Sequence, residues 1–481
     1  MEKRLILLWI RRISIVSLIS FIVFSLVIGF RLKANVEDLA DQLRSGASTE
    51  LTTQSANNLG ESVDLILSVA ALPVIKQTFN LLDLDFTKIR DEIKTVIASA
   101  PQLAGDDRPK RYLVAFQNSA EARGTGGILG AYALVEFYKG SLKVVKTGSN
   151  EPLYGISLKK IPVDVPDEFR KLYGENPAII QNSNLSPHFP YGAEIWLELW
   201  REEFGESLDG VIAVDPTALS FMLRSTGPIL LASGEEINSE NVVADTLKDA
   251  YKRFEFDNME RKQYLVEIMN AAVKKINSGN YSKLKMAQAI RDGIIANRIL
   301  LYSTDRQAQA NLSKVRLGGF MSLEANNEYR AVIQNIDAGK LDYYLDREVT
   351  IESKSCNRLK ETQVRVRVTN TLQTGAGLSA YVLTRADKGK PESLIAGSHR
   401  FKVFIYGPTN SKLLSVSREN RIANLGGAST ERKRPIYVVD VDLAPGASEE
   451  LLANFSGGVG KITYVDQPLV RETKLAIKDR C

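Results

Sequence analysis

Residues Arg111 to Gly130, RYLVAFQNSAEARGTGGILG, pass from an apolar strand into a polar, glycine-rich segment, and their reading decides the fold around them. Tyr112 to Phe116 is a continuous apolar run, short enough for a buried strand. Gln117 to Gly127 has the composition of a loop. The stretch has a loose echo: Tyr112 to Arg123 reads YLVAFQNSAEAR and Tyr329 to Lys340 reads YRAVIQNIDAGK, with Tyr, Gln, Asn and a final cation in register. If the two strands lie side by side, Arg123 and Lys340 leave one edge of the sheet together. Two cations there need an anion or carboxylates between them, and Glu121 and Asp342 are at hand. The plainer alternative is that Asn118 and Asn335 each close an Asx-type turn.

Working outward, Ile128 to Tyr138, a Lys139-Gly140 turn and Ser141 to Thr147 predict a hairpin. Ile195, Trp196, Leu199 and Trp200 recur at helical spacing and predict a helix with an inward apolar stripe. Leu208 to Val214 reads as a short strand, followed by a helix that Pro216 starts and Gly227-Pro228 stops. Three further helices are expected over 238–256, 259–276 and 282–296, then a strand at Ile299 to Tyr302. Strand-like and helix-like segments thus alternate over 108–347, which predicts an α/β domain with a mixed sheet and flanking helices. Beyond it the period changes to two, in Val349 and Ile351, Val364 to Val368, Phe401 to Ile405 and Tyr437 to Val441. Residues 348–481 are therefore expected to form an all-β sandwich.

Before the α/β domain, Ile13 to Phe30 carries no charge over about the length of a bilayer span and predicts a transmembrane helix at 13–30. Lys3, Arg4, Arg11 and Arg12 precede it, which leaves 1–12 as a cytoplasmic tail and the bulk extracytoplasmic in a cell-membrane protein with a single-pass signal anchor. A cleaved signal peptide is the rival, and Arg31-Leu32-Lys33-Ala34 lacks its small-residue cleavage site. Residues 31–107 show helical periodicity broken at Pro73 and Pro101, the pattern of a helical stalk.

Among 481 residues with a formal net charge of +5, basic side chains form no broad patch, which sets nucleic acid aside as a partner. With two histidines and two cysteines the usual zinc ligand sets cannot be assembled, while an oxygen-ligated ion such as Mg2+ stays compatible with the composition. Cys356 and Cys481 open and close the β domain. A disulfide between them would stabilise it by about 4 kcal/mol in the chain-entropy model, and two unbridged cysteines fit the sequence equally well.

For chemistry, the segment holding Asn118, Arg123, Thr125, Gly126 and Gly127 suits a phosphate, because glycine lets backbone N–H groups approach and arginine grips oxyanions at two points. Asn335 and Lys340 are the ligand-binding candidates of the echo. Candidate catalytic groups are Glu121, Arg123, Asp209 and Asp342. The alternative is that Glu121 pairs with Arg123 and the glycines make a turn. Asp209 and Asp215 flank one strand; Asp215 before Pro216 is the pattern of a helix N-cap, and Mg2+ binding is the sharper alternative. His188 is an isolated base in a loop. No serine–histidine–acid, nucleophile-elbow or phosphate-loop motif is present, so enzymatic activity stays open.

Tyr112-Leu113-Val114, Gln117-Asn118, Glu121, Arg123 and Gly126-Gly127 resemble the signature of a bacterial membrane-anchored family, domain of unknown function four-zero-one-two. Asp209 to Pro216, Gly227-Pro228 and Lys340 to Leu345 resemble its further blocks. More distantly the order of elements resembles that of the LytR-CpsA-Psr phosphotransferases, which attach polyprenyl-pyrophosphate-linked glycopolymers to the wall. Arg123-Gly124-Thr125 falls where that family has Arg-x-Asp-Thr, but without its carboxylate. Asp209, Asp215 and Gly227-Pro228-Ile229 fall where its later motifs stand. The resemblance implies a cell-envelope protein that binds, and transfers if catalytic, a polyprenyl-(pyro)phosphate-linked glycan or cell-wall polymer. A non-catalytic envelope scaffold or glycan- or protein-binding module is the alternative.

Overall fold

In the computed structural model, residues 108–138, 141–157, 163–355, 361–385, 395–418, 421–422 and 427–479 are described, with scattered positions before 108. The predicted tail 1–12, the predicted span 13–30, nearly all of the stalk and both Cys356 and Cys481 lie outside the described residues. Among the described residues no helix is long and apolar enough to cross a membrane. The chain divides into two compact units, one of Met1–Lys110, Glu136–Lys143 and Lys283–Lys285, the other of Arg111–Val135, Val144–Ser282 and Met286–Cys481. The second unit holds the core of the α/β layer and the β-rich region alike.

The α/β layer contains a five-stranded sheet. Its strands are β1 (Lys110–Arg123), β2 (Gly126–Tyr138), β3 (Ser141–Ser149), β4 (Gly210–Val214) and, after a two-stranded ribbon of β5 (Ile229–Leu230) and β6 (Glu236–Ile237), β7 (Ile299–Ser303). The order is β3-β2-β1-β4-β7. The β1–β4 pair is parallel, from Tyr112 opposite Gly210 to Phe116 opposite Val214, and β7 runs antiparallel to β4. The helix Phe189–Phe204 lies between β3 and β4 in sequence and buries the predicted stripe of Ile195, Trp196, Leu199 and Trp200. Gly205, in the left-handed conformation at φ 67°, ends it, as a residue without Cβ does most cheaply. The Trp196 indole N–H donates to Ser183 Oγ at 2.7 Å, and the Trp200 ring meets Tyr132 edge-on at 5.0 Å. Each indole therefore fixes its helix against a different neighbour.

The β-rich region consists of β8 (Glu328–Asn335), β9 (Leu345–Ser355), β10 (Glu361–Asn370), β11 (His399–Tyr406), β12 (Lys412–Arg418), β13 (Arg421–Ile422), β14 (Ala428–Glu431), β15 (Arg434–Leu443), β16 (Ser448–Ser456), β17 (Thr463–Tyr464) and β18 (Lys474–Lys478). One sheet is ordered β13-β12-β16-β10-β9-β18 and the other β14-β15-β11-β8-β17. Their inner faces meet in one apolar cluster, with Val349, Ile351, Val364, Val366 and Val368 from the first and Phe401, Val403 and Ile405 from the second. The period-two runs read from the sequence are these inward rows, alternating with the half-exposed Arg365 and exposed Arg367.

Two expectations change. The segment read as a polar loop is strand as far as Arg123, and only Gly124-Thr125 turns. Gln117, Ser119, Glu121 and Arg123 point to one face and are buried, all but Ser119 with polar partners, while Ala120 and Ala122 point to the other. A polar composition is thus compatible with a buried strand once partners are supplied from elsewhere in the chain. The echo strand β8, placed by sequence within 108–347 beside β1, instead pairs antiparallel with β11, Phe401 opposite Asn335, and Tyr329, Ala331 and Ile333 enter the core between the two sheets. Both of its faces are buried, with Val332 in the core of the α/β layer, so its apolar run shows no alternation that would assign it to one sheet.

Candidate functional site

Although β1 and β8 do not pair, their C-terminal ends converge. Gln467 joins them, its amide donating to Arg123 O and Ile333 O, both at 2.7 Å, while its Oε1 accepts from the Ile333 N–H at 2.8 Å. Both asparagines of the echo make the same local bond: Asn118 Oδ1 accepts from Ala120 N at 3.1 Å and Asn335 Oδ1 from Asp337 N at 2.9 Å. At Asn335, the end of β8, this is the Asx-type turn that the plainer reading foresees, whereas Asn118 makes the bond within β1 and closes no turn.

At the convergence Glu121 lies between two cations. Its Oε1 accepts from Arg123 Nη2 at 2.8 Å and its Oε2 pairs with Lys340 Nζ. All three side chains are at most 6% exposed. The rest of the Arg123 fork is committed too, Nε donating to Gln181 O at 2.6 Å and Nη1 to Ala122 O and Asn335 O at 2.9 and 3.1 Å. Asp342 completes the group by accepting from the Ala122 N–H at 3.0 Å and Asn335 Nδ2 at 2.7 Å. His399 Nε2 stands 3.3 Å from Asp342 Oδ1, near enough for a charge contact but not aligned as a hydrogen bond. Burial acts to raise the Asp342 pKa, and His399, the Ala122 N–H and the Asn335 amide outweigh it, so the carboxyl lies below its usual value. Burial likewise acts to lower that of Lys340, and Glu121 reverses the sign and holds the ammonium above its usual value.

This arrangement corrects the phosphate-loop expectation. Glycine is needed at 127 because a Cβ there would come within 2.1 Å of Asn118 O, and at 126 because φ is 131°. Thr125 Oγ1 donates to Gln117 Oε1 at 2.7 Å and accepts from Asn184 Nδ2 at 2.8 Å. Thr125, Gly126 and Gly127 thus close a packed hairpin, and Arg123 holds carbonyl oxygens and Glu121 rather than facing a ligand.

Asp209 stands apart from the cluster, at the other end of β1, where it accepts from the Arg111 N–H at 2.8 Å. Asp215 is the N-cap of the helix Pro216–Thr226, accepting from Ala218 N at 2.7 Å, and also pairs with Arg298 in the interior. Among the described residues no three or more His, Cys, Asp or Glu side chains gather as a metal set would. His188 is buried, its Nδ1 accepting from the Met321 N–H at 3.1 Å, and burial and then Arg432 and Arg330 push its pKa well down.

Open space lies beside the cluster. A cavity of about 250 Å³ is lined by Lys248, Lys252, Lys340, Tyr251, Tyr344 and Ser379, with Leu247, Leu378 and Val382 as its apolar wall. Lys248 and Lys252 come from a helical run whose Asp245–Asp249 section is a π-turn, a local widening common at functional sites. Asp249 lines it too and pairs with Lys248 at 3.2 Å, so three lysines stand against one carboxylate in the lining, with Lys340 also paired to Glu121. Asn118 Nδ2 donates to the Tyr251 hydroxyl and so ties this wall to β1. Sequence reasoning found Lys340 but missed Lys248 and Lys252, whose i, i+4 spacing in a charged helix is common.

Also missed is a buried carboxyl at the β14–β15 turn. Glu431 Oε2 accepts from the hydroxyls of Tyr173 and Tyr406 at 2.7 and 2.8 Å, and Oε1 from Ser186 at 2.6 Å. Burial raises its pKa against the pull of those three donors.

No curated protein matches the chain. Among solved structures, the chain is similar to the transcriptional regulator yvhJ from Bacillus subtilis at 12% identity, covering 44% of this chain and 78% of that one with a TM-score of 0.23. It is also similar to protein gbs0355 from Streptococcus agalactiae at 15% identity, covering 46% and 76% with a TM-score of 0.26. Overlaps this partial say nothing of activity. The match that bears on the site is one of sequence: residues 107–251, which contain Glu121, Arg123, Lys248 and Tyr251, match the model of a family described as protein of unknown function, DUF4012.

Proposed function

We propose that this chain is a membrane-anchored protein of the cell envelope, built on a LytR-CpsA-Psr-like architecture, that binds polyprenyl-(pyro)phosphate-linked glycans through the cavity of Lys248, Lys252 and Lys340. The observation that carries this reading is the gathering of three lysines from two chain segments around one 250 Å³ space, with an apolar wall for the start of a lipid. Lys340 donates to Glu121 and to Ala338 O at 3.1 Å, which uses two of its three protons and leaves one for a ligand oxygen.

Binding without transfer is the favoured form. Glu121 and Arg123 are saturated by internal partners, Asp342 is buried with its Oδ1 against His399, and a group that must accept or deliver a proton needs access to substrate. This same commitment supports the alternative of a non-catalytic envelope module. The test is titration of the full chain in detergent with farnesyl pyrophosphate. Reversing the charge at Lys248 and Lys252 together, K248E and K252E, is expected to weaken binding by about a hundredfold, two charge-assisted contacts being lost. Unchanged affinity would remove the cavity as the site.

A further inference from the structure

Tyr381 lies in the segment whose Leu378, Ser379 and Val382 line the same cavity, and it meets two further lining residues, Tyr251 and Lys340. Its ring lies nearly parallel to that of Tyr251, with centroids 5.8 Å apart and 15° between the planes. The guanidinium carbon of Arg261 is 4.2 Å from the Tyr381 centroid and 4.4 Å from that of Tyr251, and Lys340 Nζ is 5.2 Å from Tyr381. Arg261 is buried, yet its Nε meets no hydrogen-bond acceptor, so the two rings are a large part of what holds it. These contacts fix Tyr381 from within, and the residue is still 39% exposed.

A large aromatic ring held in place on one side and partly uncovered beside a cavity with lysines offers a stacking surface. It suits a ligand with a flat apolar face next to an anionic group. A pyranose has one such face, formed by its axial C–H bonds, and a glycosyl phosphate carries its phosphate one bond from the ring. A nucleobase also has a flat face, but a ribose separates it from its phosphate, which places it farther from the lysines.

We propose that Tyr381, backed by Tyr251, is the stacking platform for the sugar directly attached to the phosphate, so that the cavity takes the glycosyl-phosphate junction of its ligand. This inference rests on the cavity being the phosphate site.

The experiment is titration of the full chain in detergent with N-acetylglucosamine 1-phosphate, inorganic phosphate and adenosine 5′-monophosphate. The parent is expected to bind the sugar phosphate more tightly than the other two. Tyr381→Ala should weaken the sugar phosphate by about tenfold, the loss of one stacked ring, and leave inorganic phosphate unchanged, while Tyr381→Phe keeps both. Equal loss for both ligands in Tyr381→Ala, or none for either, overturns the platform while leaving the phosphate site standing. A parent that prefers the nucleotide overturns the sugar assignment. If the parent binds none of the three, the phosphate reading falls and the platform with it.

Discussion

Replacing Glu121 by glutamine keeps the shape of the side chain but removes the only carboxylate bonded to both Arg123 and Lys340. Arg123 retains its three carbonyl acceptors, whereas Lys340 is left with Ala338 O, the Tyr381 ring and an uncharged glutamine oxygen and becomes a buried ammonium without its counter-charge. Removing one partner of a buried pair in this way costs about 3–5 kcal/mol. Lys340→Met removes a cation and leaves Glu121 still bonded to Arg123, so it should cost roughly 1–3 kcal/mol. In the double variant no isolated ammonium remains. The two effects should therefore fall short of additivity by about 1–3 kcal/mol. Urea unfolding followed by the fluorescence of the buried Trp196 and Trp200, with circular dichroism to test that the transitions coincide, measures each value. If Glu121→Gln changes stability by less than about 0.5 kcal/mol, the charge does not hold the ends of β1 and β8 together and the structural reading of the cluster fails.

Two further outcomes are expected. Glu431 has a folded-state pKa raised by burial above its ordinary 4.5, so the ionised carboxyl costs stability that the protonated one does not. The parent should thus lose stability as pH rises from 4.5 through that raised value, and Glu431→Gln should be as stable as the parent or more so at pH 7.5, the difference closing below 4.5; a variant that is weaker at pH 7.5 and gains on acidification reverses the sign and refutes it. Gly127→Ala, with its Cβ 2.1 Å from Asn118 O, should lower stability by about 3 kcal/mol or more, whereas Gly155→Ala, with open space at its Cβ, should not, and equal thermal midpoints for the two would show that the hairpin does not need glycine.

Much of the fold was legible where periodicity was clean. The Trp196 and Trp200 stripe and the Val364 to Val368 alternation each match one inward face, because burial there depends on local spacing. The extent of β1 was not legible, since its second half is polar and becomes buried only when Gln181, Asn184 and Gln467 supply partners from far along the chain. The convergence of Glu121, Arg123, Lys340, Asn335 and Asp342 followed from the echo, although the sheet pairing assumed for it did not. Two cations ending two strands needed a carboxylate, and that requirement of charge is independent of which strands pair. Asp209 failed to join because it caps the opposite end of β1. Lys248, Lys252 and Glu431 gave no signal, for nothing in their local sequence sets them apart from solvated charges.

The bridge made by Gln467 has a consequence in time. It closes on Arg123 across 344 residues, and Arg347 Nη2 donates to Gln467 O at 3.1 Å, so the end of β1 is completed by a segment that emerges from the ribosome long after it. At an elongation rate of about 5–20 residues per second, the end of β1 waits for roughly 20 to 70 seconds, first without Lys340 beside Glu121 and then without Gln467 on Arg123 O. Nascent chains halted before Gln467 should consequently remain sensitive to protease around residues 117–127, and a β-truncated chain would not be an independently folded α/β domain but an arrested intermediate of this one.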